Sequence, residues 1–202
     1  MIKIEKTEVL GWEAAIRGMR NPLNSWHLSD TRLLEDVFCV GEKDLGLMTR
    51  LRNAGTDHRK FMRMIAVYVD ITAPLYWWKE FDTYKVGTVA NSCSTMHKIH
   101  AKEFTKDDFS HENLLNGSLF QLGMTIELLN EARNQFLETN DKLYWWQMIQ
   151  LLPSSYNQKR TVMLNYEVLA NIYRSRKNHK LDEWHDLCHW IEALPYSELI
   201  TG

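Results

Sequence analysis

The sequence has few cysteines and no long apolar run. Three cysteines occur among 202 residues, Cys39, Cys93 and Cys188, and an odd number without paired spacing argues against a disulfide framework. No apolar stretch approaches the ~20 residues that span a bilayer, and the first residues lack the apolar core of a signal peptide. We therefore expect a reducing, cytoplasmic location and no membrane partner.

The sequence also lacks an excess of either charge and the glycine-rich phosphate loops. Its 24 basic and 26 acidic residues give a net charge of −2, whereas nucleic-acid binders normally carry a basic excess, so we expect no nucleic-acid partner. Neither a G-x-G-x-x-G motif nor a P-loop occurs, which argues against the common nucleotide folds. What is present is a globular composition, 45% hydrophobic with eight tryptophans, typical of one domain over residues 1–202 with aromatic surface to spare for a ligand or subunit face.

Periodicity in the first half predicts alternating short strands and helices. Residues 1–6 alternate as a strand does, and residues 9–19 have helical spacing. Residues 21–40 are interpreted as a loop leading into a short helix capped by Ser29 or Asp30. A helix over 41–55 ends at Gly55, a β-branched strand over 61–74 ends at Pro74, and 75–81 resumes a helical rhythm.

The second half predicts helices almost throughout. We predict helices over 113–139, over 142–152 before Pro153, over 157–177 and over 182–194 before Pro195. With few strands and no β-α-β rhythm, the chain is predicted to be a helix-dominated α+β protein.

A polar stretch over residues 80–100 is a candidate site. Its run Ser92-Cys93-Ser94-Thr95 supplies short donors that could line an anion or a small polar ligand. Cys93 could act as a nucleophile if its thiolate were stabilised by Lys85, by His97 or by a helix N-terminus. The alternative is an inert cysteine packed between two elements.

Two further groups have both a functional and a structural interpretation. His185 and His189 are spaced i, i+4 on one predicted helix and could share a metal, or they form a polar stripe beside its apolar face; no third ligand is evident. Arg174 and Arg176 stand at a predicted helix end, where cations complement the helix dipole. One of these arginines could instead grip a phosphate or a pyrimidine carbonyl.

Two blocks of the sequence resemble the flavin-dependent thymidylate synthase (ThyX) family. In the first, residues 57–95 follow the layout of the family's signature region: His58 falls on its histidine, Ala73-Pro74 on its strand end, and Thr88 and Cys93 on its two serines. In the second, residues 151–177 resemble the family's L-P stretch and the N-x-R-x-L-x-N-F-x-x-x-R helix after it. The matching positions are Leu152-Pro153, Asn165, Leu169, Asn171 and Arg176. The likeness runs from about residue 42 to 195.

The chain departs from the family where the family has its arginines. Thr83-Tyr84-Lys85 stands in place of the Arg-His-Arg signature. Glu80 replaces the usual glutamine and Asn91 the usual glutamate. Thr95, Ile149 and Glu167 stand where the family has further arginines. Each lost guanidinium removes a phosphate contact worth about 1.5–3 kcal/mol unless other donors replace it.

The resemblance implies a helix-dominated ThyX-like α+β subunit with a small antiparallel sheet, in a homotetramer whose active sites lie between subunits. It implies FAD as the cofactor, with NADPH and methylenetetrahydrofolate as co-substrates, and methyl transfer to a deoxyuridylate-type pyrimidine nucleotide as the reaction. The missing arginines leave open a non-catalytic relative that binds a nucleotide or acts in assembly.

The resemblance also implies residue roles. Arg176 would polarise the pyrimidine and Cys93 would lie near the base, which makes these two the catalytic candidates. Glu80, Ser94 and Arg176 would contact the substrate. The cofactor-binding candidates are His58, Lys85, Thr88, Asn165 and Asn171.

Overall fold

A computed structural model describes residues 2–34 and 37–202 of the chain. The helices are α1 (Trp12–Arg20), α2 (Glu42–Asn53), α3 (Leu75–Phe81), α4 (Asn116–Thr139), α5 (Lys142–Leu151), α6 (Tyr166–Arg176), α7 (Asp182–Glu192) and α8 (Glu198–Thr201). The strands are β1 (Lys3–Leu10), β2 (Arg32–Leu34), β3 (Val37–Cys39), β4 (Ala66–Pro74), β5 (Val89–Ser92) and β6 (Asn157–Asn165). None of the helices in the described ranges combines the length and apolarity that a bilayer crossing requires.

The strands form two sheets. One has four strands in the order β1-β4-β6-β5, and the other is the hairpin of β2 and β3, in which Arg32 lies opposite Cys39 and Leu33 opposite Phe38. The predicted class, helix-dominated α+β with a small antiparallel sheet, is confirmed.

The chain divides into two compact units. The central unit comprises Asp70–Thr83 and Asn91–Thr161 with the chain start up to Lys3. Its core lies where α4 packs on α5, around side chains at most 7% exposed. These are Ile99, Phe104, Phe109, Leu122, Leu129, Ala132 and Met148.

The terminal unit comprises Ile4–Val69, Tyr84–Ala90 and Val162–Gly202. Its core includes Trp12, whose ring meets that of Tyr166 edge-on with centroids 5.2 Å apart. Burial raises the pKa of Tyr166, and its hydroxyl donates a hydrogen bond to the carbonyl oxygen of Pro195. The fully buried Trp184 on α7 completes this core.

The predicted helix over 157–177 is wrong in its first half. Residues Asn157–Asn165 form β6, and only Tyr166–Arg176 are helical. The strand buries Gln158, Val162 and Leu164, so the two-residue period of a strand decides the conformation there. Asn165 marks the change, because its Oδ1 accepts a hydrogen bond from the backbone N–H of Val168 (3.0 Å) and so caps α6.

The predicted short helix after Ser29 or Asp30 is also wrong. Residues 32–34 and 37–39 are the strands of the hairpin. Asp30 instead caps α2, because its carboxylate accepts hydrogen bonds from the backbone N–H groups of Lys43 (3.0 Å) and Asp44 (3.1 Å). The N-cap residue of α2 is Gly41, so Asp30 acts through a tertiary contact and not as the local cap that was predicted.

Two strand boundaries differ from the predictions, and one strand was not predicted. The strand predicted from residue 61 begins at Ala66, because Arg59–Met64 is a 3₁₀ helix. β1 continues to Leu10, and α1 begins only at Trp12, after Gly11 in a left-handed conformation (φ 92°). The polar stretch over 80–100 contains the short strand β5. The helix predicted over 75–81 is present with those ends, and the helices predicted over 41–55, 113–139, 142–152 and 182–194 are present with ends shifted by up to three residues.

Candidate functional site

The start of α6 and the loop over residues 84–90 are held together by Asn165. Its side-chain amide donates a hydrogen bond to the carbonyl oxygen of Gly87 (3.4 Å) while its Oδ1 caps the helix. Gly87 has a positive φ of 69°, and a Cβ there would lie 2.8 Å from the amide nitrogen of Asn165. The close approach of loop and helix therefore needs glycine at this position.

Arg176, at the end of α6, rests on two aromatic side chains. Its Nε donates a hydrogen bond to the hydroxyl of Tyr84 (2.9 Å). Its guanidinium carbon lies 4.6 Å from the ring centroid of Trp184 and 5.7 Å from that of Tyr84. Cation–π contacts of this kind hold a guanidinium in one orientation. The cation predicted to act on the substrate is thus half-buried and pre-positioned.

Two other predicted residues lie in the same loop. The hydroxyl of Thr88 donates a hydrogen bond to the carbonyl oxygen of Tyr84 (2.7 Å), which closes the loop on itself. Lys85 is exposed. The structure therefore brings Lys85, Thr88, Asn165 and Arg176 onto two segments in direct contact.

The remaining cofactor-binding candidates lie elsewhere in the terminal unit. His58 is exposed and immediately precedes the 3₁₀ helix Arg59–Met64. Asn171 is half-buried on α6, and its Oδ1 accepts a long hydrogen bond from Arg174 (3.5 Å).

The sequence interpretation missed a cluster of charges in the first turn of α6. Glu167 is only 5% exposed; its carboxylate accepts a hydrogen bond from Arg59 Nε (3.2 Å) and a second from Arg63. The hydrogen bond that Arg63 donates to Glu167 raises the pKa of Arg63. Two guanidiniums share this carboxylate, and the charge of Asp57 also acts on Arg63, so the cluster is close to neutral. The two arginines four residues apart were the available signal in the sequence.

Cys93 and Ser94, two predicted residues of the central unit, directly follow β5. The backbone of Cys93 is fixed to β6, because its N–H donates to the carbonyl oxygen of Lys159 (2.9 Å) and its carbonyl oxygen accepts from the side chain of Gln158 (2.8 Å). The residue itself is exposed. The structure therefore presents the Cys93 thiol to the surface rather than burying it in a core.

Ser94 and Glu80 have local roles in the structure. The Ser94 hydroxyl accepts hydrogen bonds from the backbone N–H groups of Met96 (3.2 Å) and His97 (2.8 Å), which closes a turn. Glu80 is half-buried on α3, and its carbonyl oxygen accepts from the hydroxyl of Thr83 (2.7 Å).

Two charged side chains of β6, Lys159 and Arg160, were not identified as paired groups because this segment was predicted to be helical. The guanidinium of Arg160 pairs with Asp82 (2.8 Å) and lies 4.2 Å from the ring centroid of Trp78. On the same strand Lys159 pairs with the carboxylate of Asp70 (3.0 Å). Alternate residues of a strand point to opposite faces, so reading β6 as a strand is what reveals these side chains.

The His185 and His189 pair gains no third ligand. Among residues 2–34 and 37–202, no three His, Cys, Asp or Glu side chains are grouped as a metal site requires. His185 lies 3.8 Å from Asp182, and burial raises the pKa of the Cys188 thiol to about 11, which makes it a poor thiolate ligand.

Comparison with known proteins shows the fold. No family model and no curated protein matches the sequence. Solved structures do match. The flavin-dependent thymidylate synthase ThyX from Helicobacter pylori, complexed with FAD and dUMP, matches with a TM-score of 0.71 and 18% identity over 98% of this chain and 97% of that one. A second ThyX structure from that organism, also with FAD and dUMP, gives a TM-score of 0.72 at 18% identity over 100% and 97% of the two chains.

A methylase of a different name has the same architecture. The UMP/dUMP methylase PolB from Streptomyces cacaoi, bound with 5-Br dUMP, matches with a TM-score of 0.66 and 12% identity over 100% of this chain and 94% of that one. At these identities the likeness establishes a ThyX-like fold along the whole chain.

Proposed function

We propose that this protein is a ThyX-like enzyme that methylates a deoxyuridylate-type pyrimidine nucleotide, with FAD as cofactor and with NADPH and methylenetetrahydrofolate as co-substrates. The observation that carries the proposal is the end-to-end likeness to chains crystallised with FAD and dUMP. The flavin, when bound, supplies the redox chemistry, and the protein supplies position and charge.

In this proposal Arg176 binds and polarises the pyrimidine. A guanidinium stacked on Trp184 and hydrogen-bonded to Tyr84 loses little orientational freedom when it meets a carbonyl oxygen. Tyr84 stands where the family has the histidine of its signature, so here it would serve as a support for the arginine. The proposed site thus retains the arginine that binds the substrate, and Tyr84 and Trp184 orient this arginine.

The charges of the terminal unit suit an anionic cofactor and nucleotide. Glu167 would repel phosphates on its own, but Arg59 and Arg63 pair with it and remove this repulsion. Lys85, on the loop that contacts Arg176 through Tyr84, adds a cation. We assign Lys85 to a phosphate contact and His58 and Asn171 to the flavin; Thr88, whose hydroxyl proton is donated to the Tyr84 carbonyl oxygen, closes the loop that carries Lys85. The Asn165 side chain already bonds Val168 and Gly87, so we assign it the role of shaping the loop.

For the central unit the proposal rests on the sequence resemblance. Cys93 would approach the base, and Ser94 and Glu80 would contact the nucleotide. The exposure of Cys93 is consistent with a contact to a ligand.

We also propose that the chain assembles as a homotetramer. Phe120, Met124 and Leu128 lie at i, i+4 and i+8 on α4 and are 70%, 40% and 49% exposed, which makes an apolar stripe along the helix. Exposed apolar stripes of this length usually mark an interface between proteins.

The test is flavin binding followed by turnover. We expect the purified protein to show, or to acquire on reconstitution, the visible absorption of bound FAD. With NADPH and methylenetetrahydrofolate it should then convert dUMP or UMP to the 5-methyl product. Arg176→Gln should keep the flavin and lose most turnover, whereas Lys180→Gln, an exposed cation just beyond α6, should behave as wild type.

Two results would count against the proposal. A protein that binds FAD but methylates neither nucleotide would contradict the assigned reaction. A protein that responds to no flavin and no pyrimidine nucleotide in a thermal-shift assay, where a ligand must raise the midpoint, would instead be the non-catalytic relative.

A further inference from the structure

A cationic cavity lies on the face of α6 that carries Arg174 and Lys177. It has a volume of about 310 Å³ and is formed by the outer face of α6, the end of α2 and the end of α8. Four of its lining side chains are cations, Arg52, Arg59, Arg174 and Lys177. In the part of the chain that the structure describes, no acidic side chain lines it. A cavity of this size lies at the small end of the range for small-molecule sites.

The cations of this cavity are only partly compensated. Arg59 is paired with Glu167 at 3.2 Å. Within residues 2–34 and 37–202, Arg52, Arg174 and Lys177 have no carboxylate within ion-pair distance. Arg52 donates a hydrogen bond only to the neutral amide of Asn53 (2.8 Å). Gly202 also lines the cavity, and its terminal carboxylate lies near Arg52. The four cations therefore face this carboxylate and Glu167, and an excess of positive charge remains.

The electrostatics at Arg52 agree with the geometry. Burial lowers the pKa of this guanidinium, and the nearby charge of Arg59 lowers it further. Both effects mean that the protonated form is less stable there than in water. An anion in the cavity would remove this penalty.

The cavity and the proposed active site use different faces of the helix. Ala170, Tyr173, Arg174 and Lys177 are spaced i, i+3, i+4 and i+7, which puts them on one face of α6. Arg176 points instead to Tyr84 and Trp184. A ligand in the cavity would therefore not need the residues assigned to methyl transfer.

Part of the cavity wall is held in place. The hydroxyl of Tyr173 donates a hydrogen bond to Glu192 (2.7 Å), which orients its ring. The ammonium of Lys177 lies 5.8 Å from the centre of that ring. Lys177 is exposed, and its contact with the Tyr173 ring favours a position at the cavity.

We propose that this cavity binds the diphosphate group of a nucleotide, as an anion site separate from the methylation site. The excess of positive charge from Arg52, Arg174 and Lys177 suits an anion with more than one negative charge, and guanidiniums make paired hydrogen bonds to phosphate oxygens. The proposal does not depend on the enzymatic reaction and would stand if that reaction were disproved.

Calorimetric titration with inorganic pyrophosphate at low ionic strength tests the site. We expect the wild-type protein to bind one pyrophosphate per chain and the Arg174→Gln/Lys177→Gln variant to bind at least about tenfold more weakly, since two charge-assisted contacts are lost. The matched control is Arg50→Gln/Lys180→Gln, which removes two exposed cations outside the cavity and should bind as wild type. Arg174→Gln alone serves if the double variant is unstable.

The outcomes separate a specific site from general attraction to positive charge. Absence of binding to the wild-type protein, or equal weakening in the cavity and control variants, would overturn the proposal. Competition tests whether the site is separate: displacement of pyrophosphate by ADP but not by FAD supports a nucleotide site apart from the cofactor, and displacement by FAD would overturn the separation.

Discussion

Replacing Asp44 with asparagine should destabilise the fold strongly. The Asp44 carboxylate is fully buried and pairs with the buried Arg20 at 2.6 Å. It also accepts hydrogen bonds from the hydroxyls of Ser29 (2.6 Å) and Thr31 (2.7 Å) and from the backbone N–H groups of Asp30 (3.1 Å) and Thr31 (3.0 Å). The asparagine variant leaves the Arg20 charge buried without a counter-ion, which costs about 3–5 kcal/mol. That is a large part of the ~5–15 kcal/mol that stabilises a typical domain.

The cost should depend on pH in a defined direction. Burial raises the pKa of Asp44, but the hydrogen bonds from Ser29, Thr31 and Arg20 more than offset this, so the pKa lies below its usual value. A carboxylate whose pKa is depressed by folding contributes fully above the unfolded value of about 3.9. That contribution is lost as the pH falls through the folded pKa. The difference between wild type and Asp44→Asn should therefore be largest near neutral pH and shrink in acid.

Urea unfolding at pH 7 and at a series of acidic pH values measures both effects. Glu13→Gln is the control, because the Glu13 and Arg17 pair (3.6 Å) is exposed and surface pairs contribute about 0–1 kcal/mol. An Asp44→Asn variant within about 1 kcal/mol of wild type at pH 7, or a difference that stays constant with pH, would refute the reasoning.

The remaining predictions concern the two units separately. Tyr84→Phe removes the hydrogen bond to Arg176; we expect kcat to fall about tenfold with FAD affinity unchanged, and kinetics identical to wild type would contradict a positioning role. Iodoacetamide at pH 8 should label Cys93, which is exposed, well before Cys188, whose pKa of about 11 leaves about a thousandth of the thiol ionised; peptide mass spectrometry showing the reverse order would contradict the assigned burial. Phe120→Glu should reduce the oligomer to smaller species in sedimentation experiments, because a charge in an apolar interface is costly, and an unchanged molar mass would exclude this face as the interface.

The elements that sequence reasoning predicted well are those with local signals. Helix α2 ends next to Gly55, and α5 ends just before Pro153, where backbone chemistry alone favours a break. Asn165 shows the limit of such reasoning. The resemblance marked it as a cofactor-binding candidate, but nothing in its neighbourhood predicted that it caps α6 and anchors the loop at Gly87. β6 was missed for the same reason, since its pairing with other strands is a long-range contact.

The sequence by itself determined the class of fold and the positions of most helices, because helix periodicity and capping residues are local properties. It also placed a cation, Arg176, at the end of a helix. Only the tertiary structure decided what holds that cation and where charge accumulates. Tyr84 is 92 residues from Arg176 and Arg59 is 108 residues from Glu167, and no local pattern encodes contacts across such separations. The cationic cavity has the same origin, since burial and mutual repulsion of charges exist only once distant segments pack together.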